Sequence, residues 1–307
     1  MTFAPIIIFS FNRPDHLKQT IDALSKNEFA EKSTLFIFCD GAKENATAEQ
    51  QNKVRDNIEI ARNATGFKEL HVVVREKNYG LANNIIDAIT VTINRYGRVI
   101  TLEDDVITSV GFLKYMNEAL DMYVNDMRVM HISGYMYPHK EKLPDSFFYE
   151  LPYPGGGWAT WKRAWQYFSN DIDTLYSYWS QRWREFNKVG DHYLQEQLEA
   201  NKKGSLYTWF IKWHAIILKM KGLTLYPGVS LTNNIGFDGS GVNSGVLSKF
   251  DIKEPADYIP IKRIKVRENK KAARIIKRFY SGHWYSKRYR NRWIARFKSF
   301  FAFVKKY

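Results

Sequence analysis

The stretch Arg98-Val-Ile-Thr-Leu-Glu-Asp-Asp-Val106 decides how the rest of the chain is read. Val99, Ile100 and Leu102 form a short apolar run of the kind buried on both faces of a parallel sheet, and the run stops at Glu103, Asp104 and Asp105. Three adjacent carboxylates repel one another and require a compensating cation. Oxygen-only ligands suit Mg²⁺ or Mn²⁺ far better than zinc. Side chains alternate along a strand, so Glu103 and Asp105 are expected on one face and Asp104 on the other, one acid holding a cation while its neighbours reach other parts of a ligand. Paired Asp residues also close strands as plain turn formers, so the flanking sequence has to choose between the two readings.

Working outward, residues 4–11 read as a first buried strand. Pro14 and Asp15 then open a helix with Leu17, Ile21 and Leu24 at helical spacing. A second strand over 34–39 stops at Asp40-Gly41, an amphipathic helix spans 49–64, and a third strand over 70–74 ends at Arg75. A helix over 81–96 leads into the strand quoted above. Strand alternating with helix four times predicts an α/β fold with a mostly parallel sheet and helices on both faces. Ligands of such sheets gather at the carboxyl ends of the strands. The residues there are Phe11-Asn12-Arg13, Asp40, Arg75 with Asn78 and Gly80, and the acid triplet, a set that suits a nucleoside diphosphate.

Beyond residue 128 the pattern is less regular, with strands expected over 129–136 and 147–151. Gly155-Gly-Gly157 then allows close approach of backbone to a ligand or serves as a flexible loop. Trp158 and Trp161 offer flat faces beside it, and a helix over 160–168 would carry Lys162 and Arg163 in its first turn.

Hydrophobic residues make up 45% of the 307 and aromatics 16%, which argues for a real core and against disorder. The single cysteine, Cys39, excludes an intrachain disulfide. The N-terminus has no basic leader region and enters a strand at once, and no apolar run reaches the roughly 18 residues needed to span a bilayer. A reducing, cytoplasmic location is expected. The net charge of +14 is concentrated at one end: residues 261–307 hold 17 Lys and Arg against one acid, Glu268, whereas residues 1–260 hold 29 basic and 31 acidic side chains. That asymmetry points to an anionic surface.

Five segments, in order, carry a family resemblance: Phe9-Ser-Phe-Asn-Arg-Pro14, Arg75 with Asn78-Tyr-Gly-Leu81, Leu102-Glu-Asp-Asp105, Gly156-Gly-Trp-Ala-Thr-Trp161 and Asn234-Ile-Gly-Phe-Asp-Gly-Ser-Gly241. Together they resemble bacterial GT-A-fold glycosyltransferases, which build surface polysaccharides from nucleotide sugars. They are more distantly similar to Golgi enzymes that transfer N-acetylglucosamine from UDP-N-acetylglucosamine. The resemblance spans about residues 3–245. It implies a GT-A (Rossmann-like) fold and a UDP-sugar donor, with Phe11, Asn12, Arg13 and Asp40 bordering uracil and ribose and Arg75 and Asn84 near the nucleotide. It further implies Glu103 on ribose, Asp104 on the donor sugar and Asp105 on a Mn²⁺ or Mg²⁺ ion that bridges the diphosphate. Trp158, beside the glycine run, is expected on the same binding surface.

One departure concerns the catalytic base. Where inverting relatives often carry a carboxylate after a Trp, the matching run here is Thr208-Trp-Phe-Ile-Lys-Trp213, and Phe210 cannot accept a proton. Inversion and retention both stay open. Substitute bases within reach in sequence are Asp238, Glu196 and Asp191, with His214 better read as a core histidine.

The expected organisation is a GT-A glycosyltransferase domain over 1–250, a linker over 251–262 and a basic amphipathic tail over 263–307. In the tail Tyr289, Trp293, Phe297, Phe300, Phe301 and Val304 recur at helical spacing beside a cationic face. Such a stripe fits a helix lying on an anionic membrane, here the inner face of the cell membrane, where a lipid-carrier-linked or growing glycan acceptor would sit. The stripe could instead dock on the catalytic domain, and a nucleic-acid reading has charge and aromatics but no recognised motif. The expected activity is metal-dependent hexosyl or N-acetylhexosaminyl transfer. The alternative is a non-catalytic protein of nucleotide-sugar fold that binds an anionic membrane or nucleic acid through its tail.

Overall fold

The computed structural model describes residues 2–188, 193–239 and 250–281. The N-terminal half alternates as the sequence predicts: β1 (Ile6–Ser10), α1 (Pro14–Leu24), β2 (Thr34–Cys39), α2 (Ala48–Arg62), β3 (Glu69–Val74), α3 (Leu81–Tyr96) and β4 (Arg98–Glu103). Then follow β5 (Val106–Thr108), α4 (Phe112–Met122), β6 (Val129–Ser133), β7 (Ser146–Tyr149), β8 (Trp158–Trp161) and α5 (Lys162–Trp165). A helical stretch of α6 (Ile172–Ser180), α7 (Trp183–Phe186), α8 (Tyr193–Lys202) and α9 (Trp209–Lys219) precedes β9 (Leu223–Pro227), β10 (Thr232–Asn234) and α10 (Lys270–Ser281).

Eight strands form one mixed sheet in the order β3-β2-β1-β4-β8-β6-β9-β7, and β10 pairs with β5 in a separate two-stranded ladder. The first four strands are parallel, β8 runs antiparallel between β4 and β6, and β9 is parallel to β6 but antiparallel to β7. The chain thus winds β1 to β3 in one direction and then crosses back to place β4 on the other side of β1. A crevice opens at that reversal.

Alternation along β1 accounts for the layers. Ile6 and Ile8 pack with Leu17, Ile21 and Leu24 of α1 on one face, while Ile7 and Phe9 pack with Ile85, Ile89 and Ile93 of α3 on the other. Each such side chain contributes about 1.5–3 kcal/mol on burial, which is why a continuous Ile-Ile-Ile-Phe run forms a central strand. Local signals set the helix starts. Thr47 and Gln50 form a reciprocal capping box on α2, at 3.2 and 3.1 Å, and Pro14 opens α1 with Asp15 in the first turn.

Two expectations need correction. The segment after the glycine run is not a helix over 160–168: residues 158–161 form strand β8, and the helix that follows, α5, is four residues long. Residues 251–266, expected as a linker and the start of a tail, lie against the domain. Ile252 is buried, Ile259, Ile261, Ile264 and Val266 pack on the core, Gly111 N–H donates to Asp257 O at 2.9 Å, and Ile264 N–H donates to the Tyr123 hydroxyl at 3.0 Å. Helix α10 buries Ala272, Ala273, Ile275 and Ile276 in the same way. The aromatic stripe at 289–304 lies outside the described residues.

Candidate functional site

Glu103 ends β4, and the next two residues leave the strand in a turn. Alternation therefore lapses, and Asp104 and Asp105 do not point to opposite faces. Both carboxylates reach Arg13, which follows β1: Arg13 Nη2 pairs with Asp104 Oδ1 and lies 2.8 Å from Asp105 Oδ2. The Thr20 hydroxyl of α1 donates to Asp104 O at 2.8 Å and fixes the turn from behind. The chain reversal between β1 and β4 thus brings a guanidinium and two acids to one point.

Asp105 is also held from the far end of the chain. Asn234 Nδ2 donates to Asp105 Oδ1 at 3.1 Å and to Gly155 O at 2.8 Å, and Ile235 N–H donates to Asp105 O at 2.9 Å. Gly236 lies so close that an added Cβ would overlap Asp105 Oδ2 and sit 2.9 Å from Arg13 Nη1. The segment from Asn234 to Asp238 thereby joins the acid turn. Asp238, with 47% of its side chain exposed, has its Oδ2 3.2 Å from His16 Nε2 at the start of α1.

Three carboxylates with one guanidinium leave this buried corner short of positive charge. Burial pushes the Glu103 carboxyl up to about 8, with Asp105 adding to the rise and Arg13 opposing it. Asp104 is raised mainly by burial, Arg13 pulling it back and Asp105 pushing it further up. For Arg13 burial opposes the charge, but Asp104 and Asp105 outweigh it and keep the guanidinium protonated. This oxygen-only donor set fits a divalent cation of the Mg²⁺ or Mn²⁺ type. Among the described residues no three ligating side chains converge with metal-binding geometry. An ion bound here would be held by one or two of these carboxylates and would take its remaining oxygens from outside the protein.

A cavity of about 330 Å³ opens beside the acids, lined among others by Phe11, Asn12, Arg13, Asp40, Asn84, Glu103, Asp104 and Asp105. Eight of the nine residues expected around the nucleotide or the metal from the N-terminal half are therefore brought together. The ninth, Arg75, sits behind the wall. Its guanidinium is 4.5 Å from the Tyr79 ring and 5.2 Å from the Phe38 ring, and it is bonded to Asn84 Oδ1 at 3.0 Å and to Asp87. It supports two lining residues rather than lining the cavity itself.

Asp40 lines the cavity but its acceptor capacity is spent. It receives Tyr79 N–H at 2.7 Å, Gly41 N–H at 3.0 Å, Gly80 N–H at 3.0 Å and Asn78 Nδ2 at 3.1 Å. Burial raises its carboxyl above the ordinary range, and the backbone N–H bonds work against that rise. Its effect is to tie the 78–80 loop across the end of β2, which sets Tyr79 on the rim.

Trp158 is not on the binding surface. It is buried in β8 between the His131 ring at 4.8 Å and the Trp209 ring at 5.2 Å, both stacked. Trp161 is buried too and donates its indole N–H to Leu120 O at 3.0 Å. The glycines beside them serve packing, since a Cβ on Gly156 would collide with Tyr135 and one on Gly157 would meet Phe112. Glu196 is exposed on α8 and does not line the cavity, while Asp191 lies outside the described residues. His214 is a core histidine, as expected, but neither ring nitrogen meets a hydrogen-bond partner among the described residues.

Four lining residues went unnoticed in the sequence: Lys43, Asn83, Tyr207 and the ring of Tyr79. Tyr207 belongs to a polar chain in which Lys212 donates to Asn170 Oδ1, Asn170 Nδ2 donates to the Tyr207 hydroxyl at 2.8 Å, and that hydroxyl donates to Asn83 Oδ1 at 2.9 Å. Only Tyr79 lay within a quoted motif. The others occupy loops and helix starts with no periodicity to mark them.

A parallel β3-β2-β1-β4 unit extended by antiparallel strands, with acids and an arginine gathered at its reversal point, is the arrangement of a GT-A-like nucleotide-sugar enzyme. A model of the GNT-I family matches residues 1–193, and the chain belongs to that family and is a glycosyltransferase. Two solved structures show weaker likeness. TarS of S. aureus has 15% identity and a TM-score of 0.31, over 47% of this chain and 24% of the TarS chain. Mouse xyloside xylosyltransferase 1 in its apo form has 12% identity and a TM-score of 0.38, over 71% and 82% of the two chains. The protein thus spans about a quarter of the TarS chain, and neither superposition is close enough to carry an argument. No curated protein matches the sequence.

Proposed function

We propose that the enzyme transfers a hexosyl or N-acetylhexosaminyl group from a UDP-sugar to a lipid-carrier-linked or growing surface glycan, with Mn²⁺ or Mg²⁺ at Asp105. The observation that carries this reading is the convergence of Arg13, Asp104 and Asp105 beside a cavity large enough for part of a nucleotide. When bound, the ion would neutralise charge on the departing diphosphate. The protein's own groups do the rest. Arg13 offers a second positive charge at the same point, Lys43 offers another in the cavity lining, and the Tyr79 and Phe11 rings, which both line the cavity, give flat faces for a base.

In the transfer step an acceptor hydroxyl oxygen bonds to the anomeric carbon as the bond from that carbon to the UDP oxygen breaks. The hydroxyl proton needs a base. Asp238 is the best placed of the three carboxylates considered, because it shares the 234–238 segment that grips Asp105 and is open to solvent. His16 beside it would orient the carboxylate.

We also place the enzyme on the inner face of the cell membrane through residues 263–307, on the strength of their charge. The test of the catalytic reading is UDP release from a panel of UDP-sugars with Mn²⁺. Asp105→Asn is expected to lower turnover by at least two orders of magnitude without moving the melting temperature. Turnover near the wild-type rate with that variant would remove the assignment.

A further inference from the structure

A second group of cations lies at the opposite edge of the sheet from β3. Residues 264–271 run beside β7, where Phe148 bridges to Glu268 and accepts Asn269 N–H at 2.9 Å. Between them opens a groove of about 570 Å³ whose charged lining is Lys265, Arg267, Lys270 and Lys271 with one acid, Glu268, and which has Ser146 on the β7 side. Lys265, Arg267 and Lys270 form no ion pair with any described residue, and Lys271 Nζ donates to the Lys142 carbonyl at 2.7 Å. Four positive groups against the single carboxylate of Glu268 leave the concavity net positive, which favours an anion.

The groove is built on a fixed support. Helix α10 spends its apolar face on the domain through Ala272, Ala273, Ile275 and Ile276, while Lys270, Lys271 and Arg274 are exposed. That apolar face is therefore unavailable to a bilayer, and any contact of this segment with lipid runs through charge. The sequence continues in the same sense, since residues 282–307 add eight Lys and Arg and no acid.

We propose that the groove formed by Lys265, Arg267, Lys270 and Lys271 seats the phosphate headgroups of an anionic membrane and so sets the face that the catalytic domain turns to the lipid. The proposal deepens the membrane reading above and rests on it, but it does not depend on donor chemistry. It separates two contributions that the tail charge alone would merge, a groove on the folded domain and the residues beyond Ser281.

The experiment uses the full chain and sedimentation with vesicles of phosphatidylcholine, with and without phosphatidylglycerol. Each basic residue near an anionic surface is worth about fivefold in affinity, so K265Q/R267Q/K270Q/K271Q should bind phosphatidylglycerol vesicles roughly 600-fold more weakly. UDP release and the melting temperature should stay at wild-type values. Should the quadruple variant fold poorly, K265Q/R267Q leaves α10 untouched and is expected to lose about tenfold or more. Wild-type vesicle binding by these variants, with R288Q/R290Q/R292Q/R296Q alone abolishing it, would overturn the proposal. So would equal binding of the wild type to neutral vesicles, or a preference for an RNA oligonucleotide over vesicles at the same salt. Loss of UDP release in the wild type would count against the enzyme reading and leave the groove's result interpretable.

Discussion

Asp104 and Asp105 share one guanidinium, and that sharing sets what each residue can do. With Arg13 present, the buried corner holds two acids near a positive charge. Without it, burial and mutual repulsion act unopposed. Arg13→Ala should therefore weaken UDP binding at least tenfold and lower the melting temperature, since leaving a buried charge without its partner costs several kcal/mol. Calorimetric titration of UDP and a thermal melt check both. Gly236→Ala should be as damaging to turnover as a substitution of Asp105 itself, because the new Cβ takes the space of Asp105 Oδ2. A fully active Gly236→Ala enzyme would show that the 234–238 segment does not bear on the acids. Two buried histidines supply a pH dependence. Burial pushes His131 and His214 down to about 3, against about 6.5 in an unfolded chain. The unfolded state then binds more protons between those limits, so stability present above pH 6.5 is lost as the pH falls, by about 2 kcal/mol per histidine at pH 5. Denaturant melts at pH 7.5 and 5.0 should show the drop, and His214→Gln should remove about half of it.

At the level of elements, the cavity rim depends on how Asp40 ties the 78–80 loop to β2. Asp40→Ala removes an acceptor from four donors and should raise the donor KM about tenfold with a smaller change in kcat, because the loop carries Tyr79 while the acids are untouched. Steady-state kinetics with the preferred UDP-sugar decides this. The four parallel strands and their helices were legible because apolar runs of five or six residues alternate with helical periodicity, and because Asp40, Arg75 and the acid triplet stop those runs abruptly. Strand β8 was not. Trp158-Ala-Thr-Trp161 is buried on both faces, shows no alternation, and follows glycines that read as a ligand loop. Trp158 was misjudged for the same reason, since a flat face exposed to a ligand and one stacked between His131 and Trp209 look alike in sequence. The opposite-faces reading of Asp104 and Asp105 failed because the strand ends one residue before them. Tyr207 and Lys43 had no pattern to betray them, and only the fold brings them to the cavity.

Over the whole molecule, the charge asymmetry separates a near-neutral catalytic body from a basic C-terminal end, yet the packing boundary falls later than the charge boundary. Compared with a chain ending after Ser281, one ending after residue 262 strips Ala272, Ile275 and Ile276 from the core. At about 1.5–3 kcal/mol for each isoleucine, the shorter chain should lose about 5 kcal/mol and melt more than about 10 °C lower. Thermal melts of the two truncations measure that difference. At the same scale, the account rests on a nucleotide held at the reversal between β1 and β4. The most direct measurement is calorimetric titration of UDP into wild-type enzyme and Asp105→Asn, each with and without Mn²⁺. The predicted result is tight binding by the wild type that depends on Mn²⁺, and loss of that metal-dependent gain in the variant. UDP binding of equal strength in all four titrations would contradict the assignment of this corner as the donor site.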